Sequence, residues 1–404
     1  MDLKENVLLK STLSKKEYSI NRLKEWSENK EPLEVEIGGI AGASINNGDY
    51  IWDRFIDFLP FENINPNYSL GEGDTSVLEG SEKLTNYCDI NNIFLKNESQ
   101  NPTWSFKDRG SLACVWMAKA MDEEITATIS TGNMGNSIAA YGAKANLNTV
   151  VFLPEFTPEE KVAAIGIHGA QIYKVKAPDY SEMKKKILDY ASDLGIRVVS
   201  GNGPIRVEGY KLTAFEIYEQ FSGDIPDYIA LPTSACGHIR GIFKGFKELK
   251  MAGYLNKLPK MIVVQAKNNS PIVKAIKENK NEIVEERNID TIAEAISSGS
   301  PYGGKEIIEK SYKYNWLAEN VSERKIIESQ KLLARDGLFV EPSSATILNA
   351  VKKLRSKNLL KKDDNVMLIL TGSGLKDFDV IKKYKFDINK VNIDDIEEWF
   401  TRNE

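Results

Sequence analysis

The stretch Asn101-Pro-Thr-Trp-Ser-Phe-Lys107-Asp-Arg-Gly110 places one lysine between a phenylalanine and an Asp-Arg pair. A turn-forming Asn-Pro-Thr precedes it, and a helix-prone segment, Ser111 to Met121, follows. Taken alone, the stretch reads equally as a helix cap followed by solvated charges or as the seat of a reactive amine. A lysine so flanked is a candidate Schiff-base residue for pyridoxal phosphate (PLP). The decision rests on whether the rest of the chain supplies what that cofactor needs.

Outward from the lysine, strands and helices alternate. Strands are predicted at Ile93–Lys96, Ala127–Ser130, Thr149–Leu153, Gln171–Val175 and Arg197–Ser200, with helices between them at Ser111–Met121, Ser137–Ala145, Glu159–His168 and Tyr180–Leu194. A second run holds a helix at Val207–Phe221, strands at Tyr228–Pro232, Met261–Gln265 and Asn365–Leu370, and helices at Ile239–Met251, Glu323–Arg335 and Ser344–Lys357. Continuous Val/Ile/Leu strands between helices signal parallel sheets covered on both faces. The expected fold is α/β with two domains, each a mostly parallel sheet flanked by helices. The larger would comprise 36–120 and 210–404, and a smaller inserted α/β domain 121–209. Residues 1–35 are charged and read as a helical N-terminal arm.

At 404 residues the chain is long enough for two cores. Its net charge of −5 argues against nucleic acid or an anionic membrane as the main partner. No segment approaches the roughly 20 apolar residues of a membrane span. The N-terminal Met-Asp-Leu-Lys-Glu-Asn lacks a signal-peptide core, and Cys88, Cys114 and Cys236 form no CxxC, so a reducing cytoplasm is expected. With His168 and His238 the only histidines, no metal site is expected and a Ser-His-Asp triad has little to work with. A cofactor, or lysines and carboxylates, would carry any chemistry.

Three further loops follow predicted strands. Ser130-Thr-Gly-Asn133-Met-Gly-Asn136-Ser137 leads into a helix, whose free N–H groups and dipole form a carboxylate seat. Asn136 or Ser137 could instead simply cap that helix. Pro232-Thr-Ser-Ala-Cys-Gly237-His-Ile offers small residues through which a backbone approaches a phosphate; a tight turn needs small residues too. His238 reads more readily as packed than as catalytic. Thr371-Gly-Ser-Gly-Leu-Lys-Asp377 puts a neutral hydroxyl where it can meet a pyridine nitrogen, or is a glycine-rich turn. The shared placement of all four loops at strand ends is what the bland readings leave unexplained.

These motifs, with Lys-Gly-Phe-Lys-Glu (244–248), Glu-Pro-Ser-Ser-Ala (341–345) and Leu70-Gly-Glu-Gly-Asp-Thr-Ser, resemble threonine synthase, a fold-type II PLP lyase of the tryptophan synthase β-like family. The resemblance runs from about Leu70 to Asp377. It implies that Lys107 forms the internal aldimine and shuttles protons, and that Asn133 bonds the cofactor 3′-oxygen. Ser234, Ala235, Cys236, Gly237 and His238 would cradle the cofactor phosphate, and Thr371 would face the ring nitrogen. Ser130, Thr131 and Met134 would border the substrate carboxylate, and Arg206 would bind the phosphate of O-phosphohomoserine. The implied reaction converts that compound and water to threonine and phosphate in a cytoplasmic homodimer.

Departures fall around the substrate. The family's Gly-Asn-x-Gly-Asn phosphate loop is Ser234–His238 here, a common threonine is Met134, an Asn-Ser pair is Ser200-Gly201, and Ser373 replaces a histidine. Each lost donor to a charged group is worth about 1–3 kcal/mol. The alternative is therefore β- or γ-replacement, elimination or carbon–carbon chemistry on a different, possibly non-phosphorylated, amino acid. Intact Lys107 and Asn133 argue against a non-catalytic binding module.

Overall fold

In the computed structural model, the residues described are 2–22, 24–130, 132–177, 180–193, 196–283, 285–286, 290–382, 384, 388, 390–393 and 396. Among the described residues, the N-terminal segment is mainly strand, with a single 3-10 turn at Ile20–Arg22 in place of the expected helix. It forms an antiparallel sheet of β1 (Val7–Ser11), β2 (Glu17–Ser19) and β3 (Leu33–Ile37), ordered β2-β1-β3. Val7, Leu9 and Ser11 alternate inward, as do Leu33, Val35 and Ile37, which is the period of a half-buried strand. The intervening charges suggested helix from composition, but they pair across strands, with Lys10 Nζ 3.0 Å from Glu36 and 3.1 Å from Glu17.

The strands β4 (Val77–Glu79), β5 (Asn92–Asn97), β10 (Tyr228–Pro232), β11 (Lys260–Ala266), β12 (Leu317–Val321) and β13 (Asn365–Leu370) build one sheet, in the order β12-β11-β10-β13-β5-β4. Only the edge pair β4–β5 is antiparallel among these described strands. The strands β6 (Ile125–Ile129), β7 (Asn148–Pro154), β8 (Gln171–Val175) and β9 (Val198–Val199) form a second, wholly parallel sheet, ordered β8-β7-β6-β9. The apolar runs of β10, β11 and β13 are buried throughout except at their first residues, as expected for strands covered on both faces.

Chain order positions the site. The helix Lys107–Ala120 carries the chain from β5 to the smaller sheet, and the helices Pro204–Tyr210 and Leu212–Gln220 carry it back from β9 to β10. The single helix expected over Val207–Phe221 is thus two, meeting at Lys211. The lysine helix and the Pro204 helix cross closely because both are glycine there. A Cβ on Gly110 would lie 2.7 Å from the Tyr210 ring, and one on Gly209 would lie 2.1 Å from the Arg109 carbonyl oxygen. That crossing brings Arg206 beside Lys107.

Candidate active site

Three neighbouring strands, β10, β13 and β5, point their carboxyl ends the same way. Their loops therefore emerge together, the usual position for a ligand on an open α/β sheet. The lysine loop after β5 is bound to the loop after β13: Phe106 N–H donates to Thr371 O (3.1 Å), and Ser373 N–H donates to Trp104 O (3.0 Å). The loop turns through Trp104, whose φ of 64° is left-handed, a strained conformation for a non-glycine residue and one that clusters at functional sites. Lys107 is the first residue of its helix, not a residue preceding one.

The Asp-Arg pair beside the lysine is buried, not solvated. Asp108 accepts hydrogen bonds from Thr103 N–H (2.6 Å), Thr103 Oγ1 (2.5 Å) and Ser137 Oγ (2.6 Å). Ser137, offered above as a helix cap, lies one turn inside the helix Asn133–Lys144 and joins it to the lysine loop. Arg109 holds Glu98 and Glu216 in paired contacts of 2.5–2.8 Å. These bonds fix the backbone that presents Lys107.

The Lys107 amine lies 4.3 Å from the Phe106 ring centroid. Burial, reinforced by the Arg206 charge and opposed by Glu341, pushes its pKa down from 10.5 to about 7. A fraction of free amine at neutral pH is what attack on an aldehyde requires. Capture of PLP by cofactor-free protein, trapped with borohydride and quantified by mass spectrometry, is expected to rise with pH around a midpoint near 7. A midpoint near the ordinary lysine value would refute this perturbed amine.

The Ser234–His238 loop adjoins the lysine loop through a stack of Phe106 on His238, with centroids 3.8 Å apart and 12° between planes. Cys236 takes a left-handed φ of 78° and precedes the helix Gly237–Met251. Gly237 is required there, because a Cβ would lie 2.2 Å from the Gly201 carbonyl oxygen. The imidazole of His238 is buried with neither ring nitrogen hydrogen-bonded among the described residues. Burial and the Lys107 and Arg109 charges hold its pKa well below 6.5, so it is neutral. Unsatisfied buried polar atoms at a helix N-terminus call for a ligand that supplies partners.

Asn133 begins the helix after β6 and donates from Nδ2 to Glu341 Oε2 (2.8 Å). Thr371 and Ser344 share a hydroxyl–hydroxyl bond of 2.6 Å, and Thr371 Oγ1 lies 3.4 Å from Glu341 Oε1. Glu341 and Ser344 thus join Asn133 to Thr371, a pairing to which the sequence reading assigned no role. The available signal was Glu341-Pro342, an acidic residue before a helix-starting proline. Ser130 Oγ accepts from Gly132 N–H (3.3 Å). Thr131 lies outside the described residues. Met134 meets Gly201 of the neighbouring loop, with Sδ 3.6 Å from where a Cβ on Gly201 would be, and Ala235 flanks the same glycine at 3.7 Å.

Arg206 is buried beside the lysine. Its Nη1 donates to Lys107 O (3.5 Å), Ser111 Oγ (3.3 Å) and Tyr210 Oη (3.4 Å), none of them a carboxylate, while Nε and Nη2 have no partner among the described residues. Glu25, another residue not anticipated from sequence, accepts from Ser200 N–H (2.8 Å) on the adjoining loop. The structure thereby brings together Lys107, Asn133, the Ser234–His238 loop, Thr371 and Arg206 around the same strand ends.

The family model "Pyridoxal-phosphate dependent enzyme" matches residues 68–372. The chain belongs to that family. It is 35% identical to the threonine synthase of Methanocaldococcus jannaschii over 346 residues, 85% of each chain. It is also 35% identical to that of Methanosarcina acetivorans over 329 residues, 81% of this chain and 80% of the other. Among solved structures, the fold is similar to processed threonine deaminase isoform 2 from Solanum lycopersicum. The TM-score is 0.65 at 20% identity, covering 84% of this chain and 94% of that one. Maize serine racemase is similar at TM-score 0.62 and 17% identity, covering 82% and 94%. Family and fold agree with the expected PLP dependence and the paired parallel sheets. Among the described residues, no helix is long and apolar enough to cross a membrane.

Proposed function

We propose that this PLP-dependent enzyme is a threonine synthase-like lyase that converts O-phosphohomoserine and water to threonine and phosphate. PLP, when bound, supplies the electron sink that lets protons leave carbons next to an amino-bearing centre. Lys107 would hold the cofactor covalently and move the proton at the substrate Cα. Asn133, the Ser234–His238 loop and Thr371 would seat the 3′-oxygen, phosphate and ring nitrogen. Ser130, Thr131 and Met134 would border the substrate carboxylate. The proposal includes a homodimer in the cytoplasm, with the larger domain at 36–120 and 210–404 and the smaller at 121–209.

The observation that carries the substrate assignment is Arg206, a buried guanidinium beside Lys107 with two nitrogens unpartnered among the described residues. Such a group gains most from a doubly charged ligand oxygen cluster. Phosphate release from O-phosphohomoserine, with threonine formed in equal amount, tests the reading. Arg206→Ala is expected to lower kcat/KM by about 10²-fold or more, the loss of one or two charged hydrogen bonds. Unchanged kinetics would remove Arg206 from the substrate site.

Glu25 favours a second reading. Its carboxyl group accepts from the Ser200 N–H, at the position where related enzymes carry Asn-Ser, and so takes a donor that a second anion would need. On that reading the substrate is a different, non-phosphorylated amino acid undergoing β/γ-replacement, elimination or carbon–carbon chemistry. Absence of phosphate release, with spectral shifts of the bound cofactor on adding another amino acid, would select it.

A further inference from the structure

The helix Pro342–Ser356 has Ser344 beside the cofactor loops at one end and Lys353 near the other. Nine residues at about 1.5 Å each separate the two by roughly 13 Å. Around the far end lies a cavity of about 520 Å³ bordered by Lys267, Lys277, Lys325, Lys352, Lys353 and Lys357. Its remaining lining is Glu319 and asparagine and serine side chains, with no apolar residue.

The lysines come from four chain segments: the end of β11, the helix Pro271–Lys277, the helix Glu323–Ala334 and the C-terminal end of Pro342–Ser356. A solvated helix face would place its charges on one element. The negative end of a helix dipole accounts for Lys352 and Lys353, but not for Lys325 in the first turn of its helix. Lys277 (2.5 Å), Lys353 (2.8 Å) and Lys357 all converge on the fully buried Glu319. Lys325 pairs with Glu328 at 2.6 Å, and Lys352 lies 3.9 Å from the Tyr87 ring centroid. Six lysines and one carboxylate therefore border the cavity, with Glu328 pairing Lys325 outside the lining, in a chain whose net charge is −5. Lys277 shows the resulting strain: burial, and then the Lys357 and Lys353 charges, push its pKa below 10.5 despite Glu319.

We propose that this cavity binds a compact, multiply charged phosphate at a site separate from the cofactor and substrate loops. The excess cations supply the attraction, and the asparagine and serine groups supply neutral hydrogen bonds. Inorganic polyphosphate and the phosphates of a nucleotide share this chemistry. With no ring in the lining to stack a base, tripolyphosphate and ATP should bind within about threefold of each other.

Isothermal titration of the PLP-loaded enzyme with tripolyphosphate at low salt is expected to show saturable binding that weakens as salt screens the lysines. Lys267→Ala/Lys357→Ala should weaken it at least about tenfold, the loss of two charged contacts. Both substitutions leave Glu319 paired with Lys277 and Lys353, and the single Lys267→Ala variant, which spares the Glu319 cluster, should weaken binding about threefold on the same grounds. Arg206→Ala should leave the affinity unchanged. The proposal is overturned by absence of saturable heat, by undiminished binding in the lysine variants, by loss of binding in Arg206→Ala, or by a strong preference for ATP.

Discussion

Lys107→Ala is expected to eliminate the borohydride-reducible link to PLP and to lower turnover by about 10³-fold or more. On the proposed role of Lys107, the substitution removes both the covalent anchor and the group that moves a substrate proton; general acid–base catalysis alone contributes about 10²–10⁴-fold. The fold should survive, because the amine's described contact is with the adjacent Phe106 ring. Thermal unfolding of the cofactor-free variant checks that point. A second lysine makes the experiment sharp. Lys376 is also lowered in pKa, chiefly by burial, and donates to Thr103 O at 2.5 Å in the same loop cluster. Peptide mapping of the reduced adduct should find the cofactor on Lys107 in the parent and on no lysine in the variant. An adduct on Lys376 in the parent would overturn the assignment.

Arg109→Met is expected to destabilise the protein by about 3–5 kcal/mol, the range for removing one partner of a buried ion pair. The guanidinium serves two buried carboxylates at once, with Nε 2.6 Å from Glu98 and Nη1 2.5 Å from Glu216. Lys96, 2.7 Å from Glu216, would be the cation left to them. Denaturant titration, with the midpoint and slope read separately, measures the loss. The pH dependence gives a second readout. Burial opposes the charge of Glu216, but Arg109 and Lys96 hold its pKa down from 4.5 to about 2. A carboxylate lowered on folding contributes stability that is present above its unfolded value and is lost as pH falls through its folded one. In the parent, this contribution should fade between pH 4.5 and about 2. In the variant the acid transition should begin at a higher pH. A variant as stable as the parent, with the same acid profile, would show that the network contributes little. Cofactor capture by the surviving folded fraction should also fall, because Arg109 adjoins the lysine in the first turn of its helix.

The regular core was legible in advance because periodicity reports burial. Gln171–Val175, Tyr228–Pro232 and Asn365–Leu370 occur with the expected limits. The apolar runs of the last two suit a parallel sheet and little else, whereas Gln171–Val175 is an edge strand with no buried residue. Helix starts were placed too late at Lys107, Asn133 and Gly237. Those first turns are glycine-rich or polar because they face the site, and local propensity reads such residues as loop. The N-terminal sheet was missed for a related reason. Its alternation is short, and its charges satisfy one another across strands that only pairing brings together.

Residue identities alone determined the α/β alternation, the four loops at strand ends, the lysine proposed to carry the chemistry and, with the motifs in order, the cofactor. Those features are local: a strand's burial, a loop's glycine content and a lysine's neighbours lie within a few residues of one another. Tertiary structure decided which side chains share a space. It joined Glu341 to Asn133 across 208 residues and Ser344 to Thr371 across 27. It left Arg206 buried without a carboxylate in its described hydrogen bonds, set Glu25 on the Ser200 loop and gathered six lysines around one cavity, three of them on Glu319. Electrostatic pairing and desolvation depend on distance through space, and a linear sequence does not contain those distances until the sheets have formed.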